Sequence, residues 1–81
     1  MKPQVTLYTR VGCGLCEDAK REIAAARARV DFGYEEVDID GDADLRRLYN
    51  DEVPVIAING AKAFKYRVST NELLKKLAAR A

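Results

Sequence analysis

Histidine and tryptophan are absent from this chain of 81 residues, which has only two cysteines, two prolines and one methionine. A closed structural zinc site needs about four cysteine or histidine ligands, so we do not expect one chain to build such a site. The longest apolar run, Val53–Ile58, is far shorter than the roughly 18 residues of a membrane span. The N-terminus also lacks the apolar segment of a signal peptide. We therefore expect a cytoplasmic protein that does not contact membranes.

Charge of one sign is not in excess either, because 14 basic and 13 acidic residues leave a net charge of +1. A nucleic-acid partner is not expected without a basic field. The acidic residues are concentrated in residues 30–52, which sum to −7. This segment either selects a basic partner or forms solvated helix and loop surfaces. The length predicts a single domain over residues 1–81, and 20 residues of Leu, Ile, Val and Phe are enough to predict a folded core.

Hydrophobic spacing in the first half of the chain predicts a strand, a helix, a second strand and a short helix. Residues 4–9 and 34–38 have the β-branched and aromatic composition of strands. Between them, apolar residues recur at spacings of four, four, three and four, which is typical of one helix face. Those residues are Leu15, Ala19, Ile23, Ala26 and Val30. Asp42 then follows an acidic turn and is the predicted N-cap of the short helix.

The second half predicts a β-hairpin followed by a helix. Val53–Ile58 is a continuous β-branched run, as in a buried strand, and Asn59-Gly60 is a strong two-residue turn signal before a return strand over Ala61–Tyr66. Ser69 with Glu72 forms a capping box that opens the last helix. The predicted order is β-α-β-α-β-β-α, which is an α/β fold with a four-stranded mixed sheet flanked by three helices.

The two cysteines are the most informative residues, because Cys13 and Cys16 enclose only Gly14 and Leu15. A bridge across so short a loop is a poor structural staple, which favours a redox pair. Cys13 falls where the first strand gives way to the first helix. Unpaired amides and the helix dipole favour a thiolate there, and thiols in such places have pKa values lowered from ~8.5 to roughly 3.5–7.5.

The same placement assigns different tasks to the two thiols. Cys13 is the predicted nucleophile, and Cys16, one turn later, is the predicted resolving thiol that displaces a captured substrate. Gly12 and Gly14 keep the approach to the sulfur open. Arg10 adds positive potential near the thiolate, whereas the acidic residues 17 and 18 oppose it. The alternative is an unreactive pair of buried cysteines in a helix.

Pro54 has two interpretations. It is either a cis-proline whose preceding residue, Val53, presents its backbone to an incoming chain, or simply the first residue of a strand, where a missing N–H is harmless. Proline statistics alone favour the second interpretation, since only about one X–Pro bond in twenty is cis. Tyr66 and Arg67 are likewise either part of a substrate groove or a solvated strand end.

Taken together, the strand, the Cys13-Gly14-Leu15-Cys16 motif, the helix, and Val53-Pro54 before an apolar strand resemble the thioredoxin superfamily. The chain is most similar to small glutaredoxins and their glutaredoxin-like bacterial and archaeal relatives. The resemblance covers nearly the whole chain and includes Arg10, three residues before the first cysteine. It implies that Pro54 is cis, that Val53 pairs its backbone with substrate, and that the two cysteines are the dithiol.

Some glutaredoxin features are missing. Where glutaredoxins carry a Gly-Gly pair and then an acidic residue for glutathione, this chain has Phe64-Lys65 and Val68. Leu15 replaces the usual aromatic residue between the cysteines, and Gly12 replaces the tryptophan of thioredoxins. The resemblance therefore does not carry over a glutathione site.

Three functions are consistent with these residues. The first is a monomeric thiol–disulfide oxidoreductase that reduces protein disulfides or glutathione mixed disulfides. It would hold no metal or organic cofactor, and glutathione as co-substrate or a reductase would recharge it. The residues expected to contact substrate are Arg10, Gly12, Gly14, Leu15, Val53 and Pro54. The alternatives are a module that binds metal or an iron–sulfur cluster across a dimer, and a non-catalytic adaptor.

Overall fold

The computed structural model describes residues 2–80 and shows eight elements of secondary structure. In chain order they are strand β1 (Gln4–Thr9), helix α1 (Gly14–Arg27), strand β2 (Gly33–Asp38), a 3-10 turn (Ile39–Gly41), helix α2 (Ala43–Tyr49), strand β3 (Val55–Ile58), strand β4 (Ala61–Lys65) and helix α3 (Thr70–Arg80). This order confirms the predicted β-α-β-α-β-β-α fold.

The four strands form one mixed sheet in the order β2-β1-β3-β4. Strand β1 runs parallel to β2 and antiparallel to β3, and β3 runs antiparallel to β4. Tyr8, near the end of β1, pairs with Val55 at the start of β3, and Val55 pairs with Lys65 at the end of β4. Because Asp38 at the end of β2 pairs with Thr9, four loops leave the sheet at this edge. They carry the cysteines, the 3-10 turn after β2, Pro54 and the connection to α3.

The main core lies between the sheet and helices α1 and α3. Its fully buried side chains come from alternate positions of β1 and β3 and from one face of each helix, and include Val5, Leu7, Ile23, Ile56, Ile58 and Leu73. Tyr8 points to the other face of the sheet, because side chains alternate along a strand, and its ring lies 4.9 Å from that of Tyr49 in α2. Helix α2 therefore covers the second face.

The predicted turn and cap residues are in place. Asn59 and Gly60 have φ values of 53° and 85°, the positive angles that a two-residue hairpin turn requires. Asp42 accepts hydrogen bonds from the amides of residues 44 and 45 at the start of α2. Ser69 caps α3, since its Oγ accepts from the backbone N–H of Glu72, and its hydroxyl donates to the Glu72 carboxylate.

Several predicted boundaries are wrong. Helix α1 ends at Arg27, because the amides of residues 29 and 30 both turn back to the carbonyl of Ala26, and Val30 is 43% exposed rather than part of the buried face. Phe32 occupies the core instead. Strand β3 begins only after Pro54, and β4 ends before Tyr66. None of the helices within residues 2–80 has the length and hydrophobicity that crossing a bilayer demands.

Candidate functional site

The two cysteines lie at the N-terminus of helix α1. Cys13 is the N-cap residue, with an extended backbone (φ −92°, ψ 107°), and its Sγ accepts a hydrogen bond of 3.1 Å from the backbone N–H of Cys16. The two sulfur atoms form a disulfide, with Cα atoms 5.2 Å apart. Cys13 remains partly exposed, whereas Cys16 is fully buried. The outer sulfur is thus the one that an incoming molecule can reach.

Gly12 and Gly14 leave the approach to Cys13 open. Gly12 has a φ of 80°, which L side chains rarely adopt, and it reverses the chain between β1 and α1. A Cβ atom at either glycine would meet no atom within 4 Å. Val11, one residue earlier, is 89% exposed. The loop around the outer sulfur therefore presents backbone and a small apolar side chain to solvent.

The carboxylates beside the cysteines are paired with cations of the same helix. Glu17 binds Lys20 at 2.9 Å, and Asp18 binds Arg21. Lys20 also lies 3.7 Å from Glu36 of β2, and its hydrogen bond with Glu17 raises the pKa of its ammonium group. The sequence left open whether the positive charge of Arg10 or the negative charges of residues 17 and 18 would prevail at the thiolate. Their charges are largely offset by these pairs, so the helix amides remain as a favourable influence on the sulfur.

Arg10 joins two loops of the site. Its guanidinium donates to both carboxylate oxygens of Asp40, at 2.7 and 3.2 Å, and to the backbone and side-chain oxygens of Asn50, both at 3.1 Å. These bonds hold the pKa of the Asp40 carboxyl below its usual range. Arg10 was predicted to contact substrate and to add positive potential at Cys13. In the structure its guanidinium forms an ion pair with Asp40. Its bonds to Asn50 connect the end of β1 to the segment that leads to Pro54.

Val53 and Pro54 lie at the same sheet edge as the cysteines. The Val53–Pro54 peptide bond is cis, and the buried Pro54 accepts a hydrogen bond of 2.8 Å at its carbonyl from the backbone N–H of Tyr66. Val53 is half-buried, and within residues 2–80 its backbone N–H and C=O have no hydrogen-bond partner. These two groups are therefore free to pair with another chain.

A groove of about 390 Å³ begins at Leu15, between the two cysteines. Its other wall is formed by Tyr66 and Arg67 and by the start of α3. Tyr66 has a φ of 68°, a left-handed conformation that costs a non-glycine residue about 1–2 kcal/mol. Of the two interpretations of Tyr66 and Arg67, their position favours a groove. Of the positions compared with the glutathione site, Phe64 is half-buried in β4 and Val68 is buried beneath the groove.

One contact in the groove was missed by sequence reasoning. The carboxylate of Glu22 in α1 accepts two hydrogen bonds of 2.8 Å from Thr70, one from its backbone N–H and one from its hydroxyl. The backbone bond is the main reason that the pKa of the Glu22 carboxyl is lowered. No local signal indicates this cap, because 48 residues separate the two partners. Within residues 2–80, no group of three or more Cys, Asp or Glu side chains is placed to hold a metal ion.

Comparison with known proteins agrees with this geometry. The glutaredoxin-like domain family (DUF836) matches residues 4–78. Protein Ne2328 from Nitrosomonas europaea is 29% identical, with a TM-score of 0.82 and coverage of 95% of this chain and 93% of that one. Protein XcR50 from X. campestris is 33% identical, with a TM-score of 0.78 and coverage of 93% and 96%.

More distant structures share the fold alone. A thioredoxin from Halobacterium salinarum is 14% identical, with a TM-score of 0.73 and coverage of 96% of this chain and 74% of its own. This chain thus has a thioredoxin-like fold, made of the mixed sheet and the three helices. The cysteine pair lies at the start of α1 in this fold. The chain belongs to the glutaredoxin-like domain family.

Proposed function

We propose that the protein is a thiol–disulfide oxidoreductase in which Cys13 attacks a substrate disulfide and Cys16 resolves the product. The observation that carries this proposal is the contrast between the two sulfurs. Cys13 is partly exposed and accepts an amide hydrogen bond at a helix N-terminus, whereas Cys16 is fully buried behind it. A hydrogen bond to sulfur and the helix dipole both favour the thiolate, which is the nucleophilic form.

The reaction consists of two exchanges. The Cys13 thiolate attacks one sulfur of the substrate disulfide, so that a Cys13–substrate disulfide forms and the other substrate sulfur leaves as a thiolate. Cys16 then gives up its proton, which a departing substrate thiolate can accept, and attacks Cys13 Sγ. The Cys13–Cys16 bond forms and the second substrate thiol is released. The substrate gains two electrons, which the protein loses. Cys16 supplies one of the two protons, and water supplies the other, having taken up the proton of Cys13 when its thiolate formed.

The remaining site residues have supporting roles in this proposal. The free backbone groups of Val53 support pairing with an extended substrate segment, and Pro54 places them at the edge where Cys13 emerges. Gly12 and Gly14 leave room for the substrate sulfur. Leu15 contacts the part of the substrate that enters the groove.

We further propose that the cycle takes place in the cytoplasm in a monomer and uses no bound metal or organic cofactor. The oxidised dithiol would be returned to its reduced form by glutathione as co-substrate or by a reductase. The substrate would be a protein disulfide or a glutathione mixed disulfide. The free Val53 backbone and the open sulfur do not by themselves distinguish between these two substrates.

Two matched variants test the assignment of roles. Reduced wild-type protein, Cys13→Ser and Cys16→Ser are each mixed with a disulfide-bonded peptide, and the products are followed by mass spectrometry. We expect Cys13→Ser to be inactive. Cys16→Ser should still attack the peptide but stop at a mixed disulfide through residue 13, because it lacks the resolving thiol.

Both variants keep one cysteine at the start of α1, so each is the control for the other. A Cys13→Ser protein that reduced the peptide would contradict the assignment of the nucleophile. Wild-type protein that formed no adduct and reduced no disulfide would contradict the proposed activity as a whole.

A further inference from the structure

The groove beside Leu15 lies where a substrate must pass. Leu15 lies between the two cysteines in the sequence. The groove extends from Leu15 to Tyr66 and the start of α3. A polypeptide bound through its sulfur at Cys13 and through backbone pairing at Val53 would place its neighbouring side chain close to this groove, since both residues emerge at one sheet edge. The lining of the groove therefore bears on which substrates the protein accepts.

Tyr66 is held in the groove by its backbone. Its N–H donates to the Pro54 carbonyl at 2.8 Å, and the N–H of Arg67 donates to the Lys65 carbonyl at 2.8 Å. These bonds fix Tyr66 at a φ of 68°, where glycine is the favoured residue. The Tyr66 side chain is not placed there by core packing, because the residue remains 42% exposed. Strained backbone of this kind is concentrated at functional sites, where neighbouring structure enforces it.

The polar end of the groove offers little to a carboxylate. The start of α3 would ordinarily attract an anion, but the N–H and hydroxyl of Thr70 already donate to Glu22, and the N–H of Glu72 already donates to Ser69 Oγ. The charged side chains that line the groove are Asp18, Glu22, Glu72 and Arg67. Asp18 is paired with Arg21, whereas Glu22 and Glu72 accept hydrogen bonds from the uncharged residues Thr70 and Ser69, so negative charge still predominates over the single charge of Arg67. Glutathione, which has two carboxylates, would meet repulsion here, whereas an uncharged side chain would not.

From this arrangement we infer that Tyr66 is a specificity-determining residue, whose ring and Leu15 form a seat for an apolar side chain next to the reacting cysteine of a polypeptide disulfide. This inference rests on the proposed function and names its substrate class as disulfide-bonded polypeptides rather than glutathione mixed disulfides.

The test compares three peptide disulfides that differ only in the residue beside the cysteine, which is Leu, Lys or Glu, together with a glutathione mixed disulfide of the Leu peptide. Wild-type protein should give the highest kcat/KM with the Leu peptide disulfide and lower values with the Glu peptide and the glutathione adduct. In Tyr66→Gly, the KM for the Leu peptide should rise about fivefold while kcat is unchanged, because an aromatic contact is lost. Tyr66→Phe should behave as wild type, since it keeps the ring.

Two controls separate this effect from misfolding. Tyr66→Gly should unfold in urea at a midpoint close to that of wild type, because glycine favours the backbone angle of this position. Asn59→Gly makes the same kind of change at the other positive-φ residue of residues 2–80 that is not glycine, which lies in the hairpin turn at the opposite sheet edge. It should leave the KM unchanged.

The outcomes distinguish the two proposals. If wild-type protein reduces all the substrates but the Lys or Glu peptide or the glutathione adduct is as good as the Leu peptide, the inference about Tyr66 is overturned and the oxidoreductase activity stands. The same holds if Tyr66→Gly leaves the KM for the Leu peptide unaltered. If wild-type protein reduces none of them, the proposed function itself fails.

Discussion

Reduction of the Cys13–Cys16 bond is predicted to cost the protein little stability. The bond closes a loop of residues 13–16 only. In the chain-entropy model, closing a loop of that length stabilises the folded state by about 2 kcal/mol at 25 °C, well below the ~4.7 kcal/mol of a 100-residue loop. In acid, where both thiols of the reduced protein are protonated, the oxidised form should therefore be the more stable by about 2 kcal/mol.

The difference should shrink as the pH rises. The Cys16 amide and the start of α1 stabilise a thiolate at Cys13, so we expect the pKa of this thiol in the folded reduced protein to lie below its unfolded value of roughly 8.5. A lowered folded pKa stabilises the folded state fully above the unfolded pKa, and this stability is lost as the pH falls through the folded pKa. The folded reduced protein therefore gains stability at high pH. The oxidised protein does not, because it has no thiol to titrate.

Both the stability difference between oxidised and reduced protein and its change with pH can be measured by urea unfolding, followed by circular dichroism. The measurement is made with and without a phosphine reductant at pH 5, 7 and 9. Cys13→Ser is the control, because it retains the buried Cys16 and lacks the thiol at the N-cap. Its stability should not show the gain at high pH that reduced wild-type protein shows. A difference between oxidised and reduced protein that stays constant from pH 5 to pH 9 would falsify the claim that the helix amides favour the thiolate.

Three further changes have definite expected results. Arg10→Met removes the four hydrogen bonds from Arg10 to Asp40 and Asn50, so hydrogen exchange of the Gly12 amide should become faster. Unchanged exchange would show that other contacts hold the loop before Cys13. Ile23→Ala should lower the free energy of unfolding by about 2–4 kcal/mol in urea, whereas Val30→Ala should change it by less than about 0.5 kcal/mol, and equal losses would contradict the assigned burial. Glu22→Gln should remove part of the fall in thermal stability between pH 5 and pH 2.5. A carboxyl with a lowered pKa stabilises the fold above its unfolded pKa, and this stabilisation is lost as the pH falls through the folded pKa. An unaltered dependence of stability on acid pH would contradict this role of Glu22.

The sequence predicted the order of elements because the responsible signals are local. The spacing of Ala19, Ile23 and Ala26, the Asn-Gly turn and the Ser69–Glu72 cap each depend on residues a few positions apart. Spacing alone could not show where α1 ends. Val30 continues the apolar pattern of the helix, but the turn after Ala26 directs it to solvent.

The position of the two cysteines at the start of α1 was predicted from the sequence, and the contacts around them were not. The dithiol follows from two residues at a strand–helix junction, which is a local pattern. The partners of Arg10 are 30 and 40 residues away, and that of Glu22 is 48 residues away, so only the assembled sheet brings them together. The prediction that Arg10 contacts substrate stays a prediction, and the structure adds an ion pair with Asp40 that no local pattern indicates.

Glu22 also fastens the helix that carries the cysteines to the C-terminal helix. Its carboxylate accepts from Thr70, and its backbone carbonyl, at 3.2 Å, accepts from the Thr70 hydroxyl as well. Sliding or rotation of α1 would therefore break contacts two turns beyond the cysteines. In the proposed redox cycle, we expect structural change to be restricted to the first turn of α1, so a partner that distinguishes oxidised from reduced protein should contact that turn.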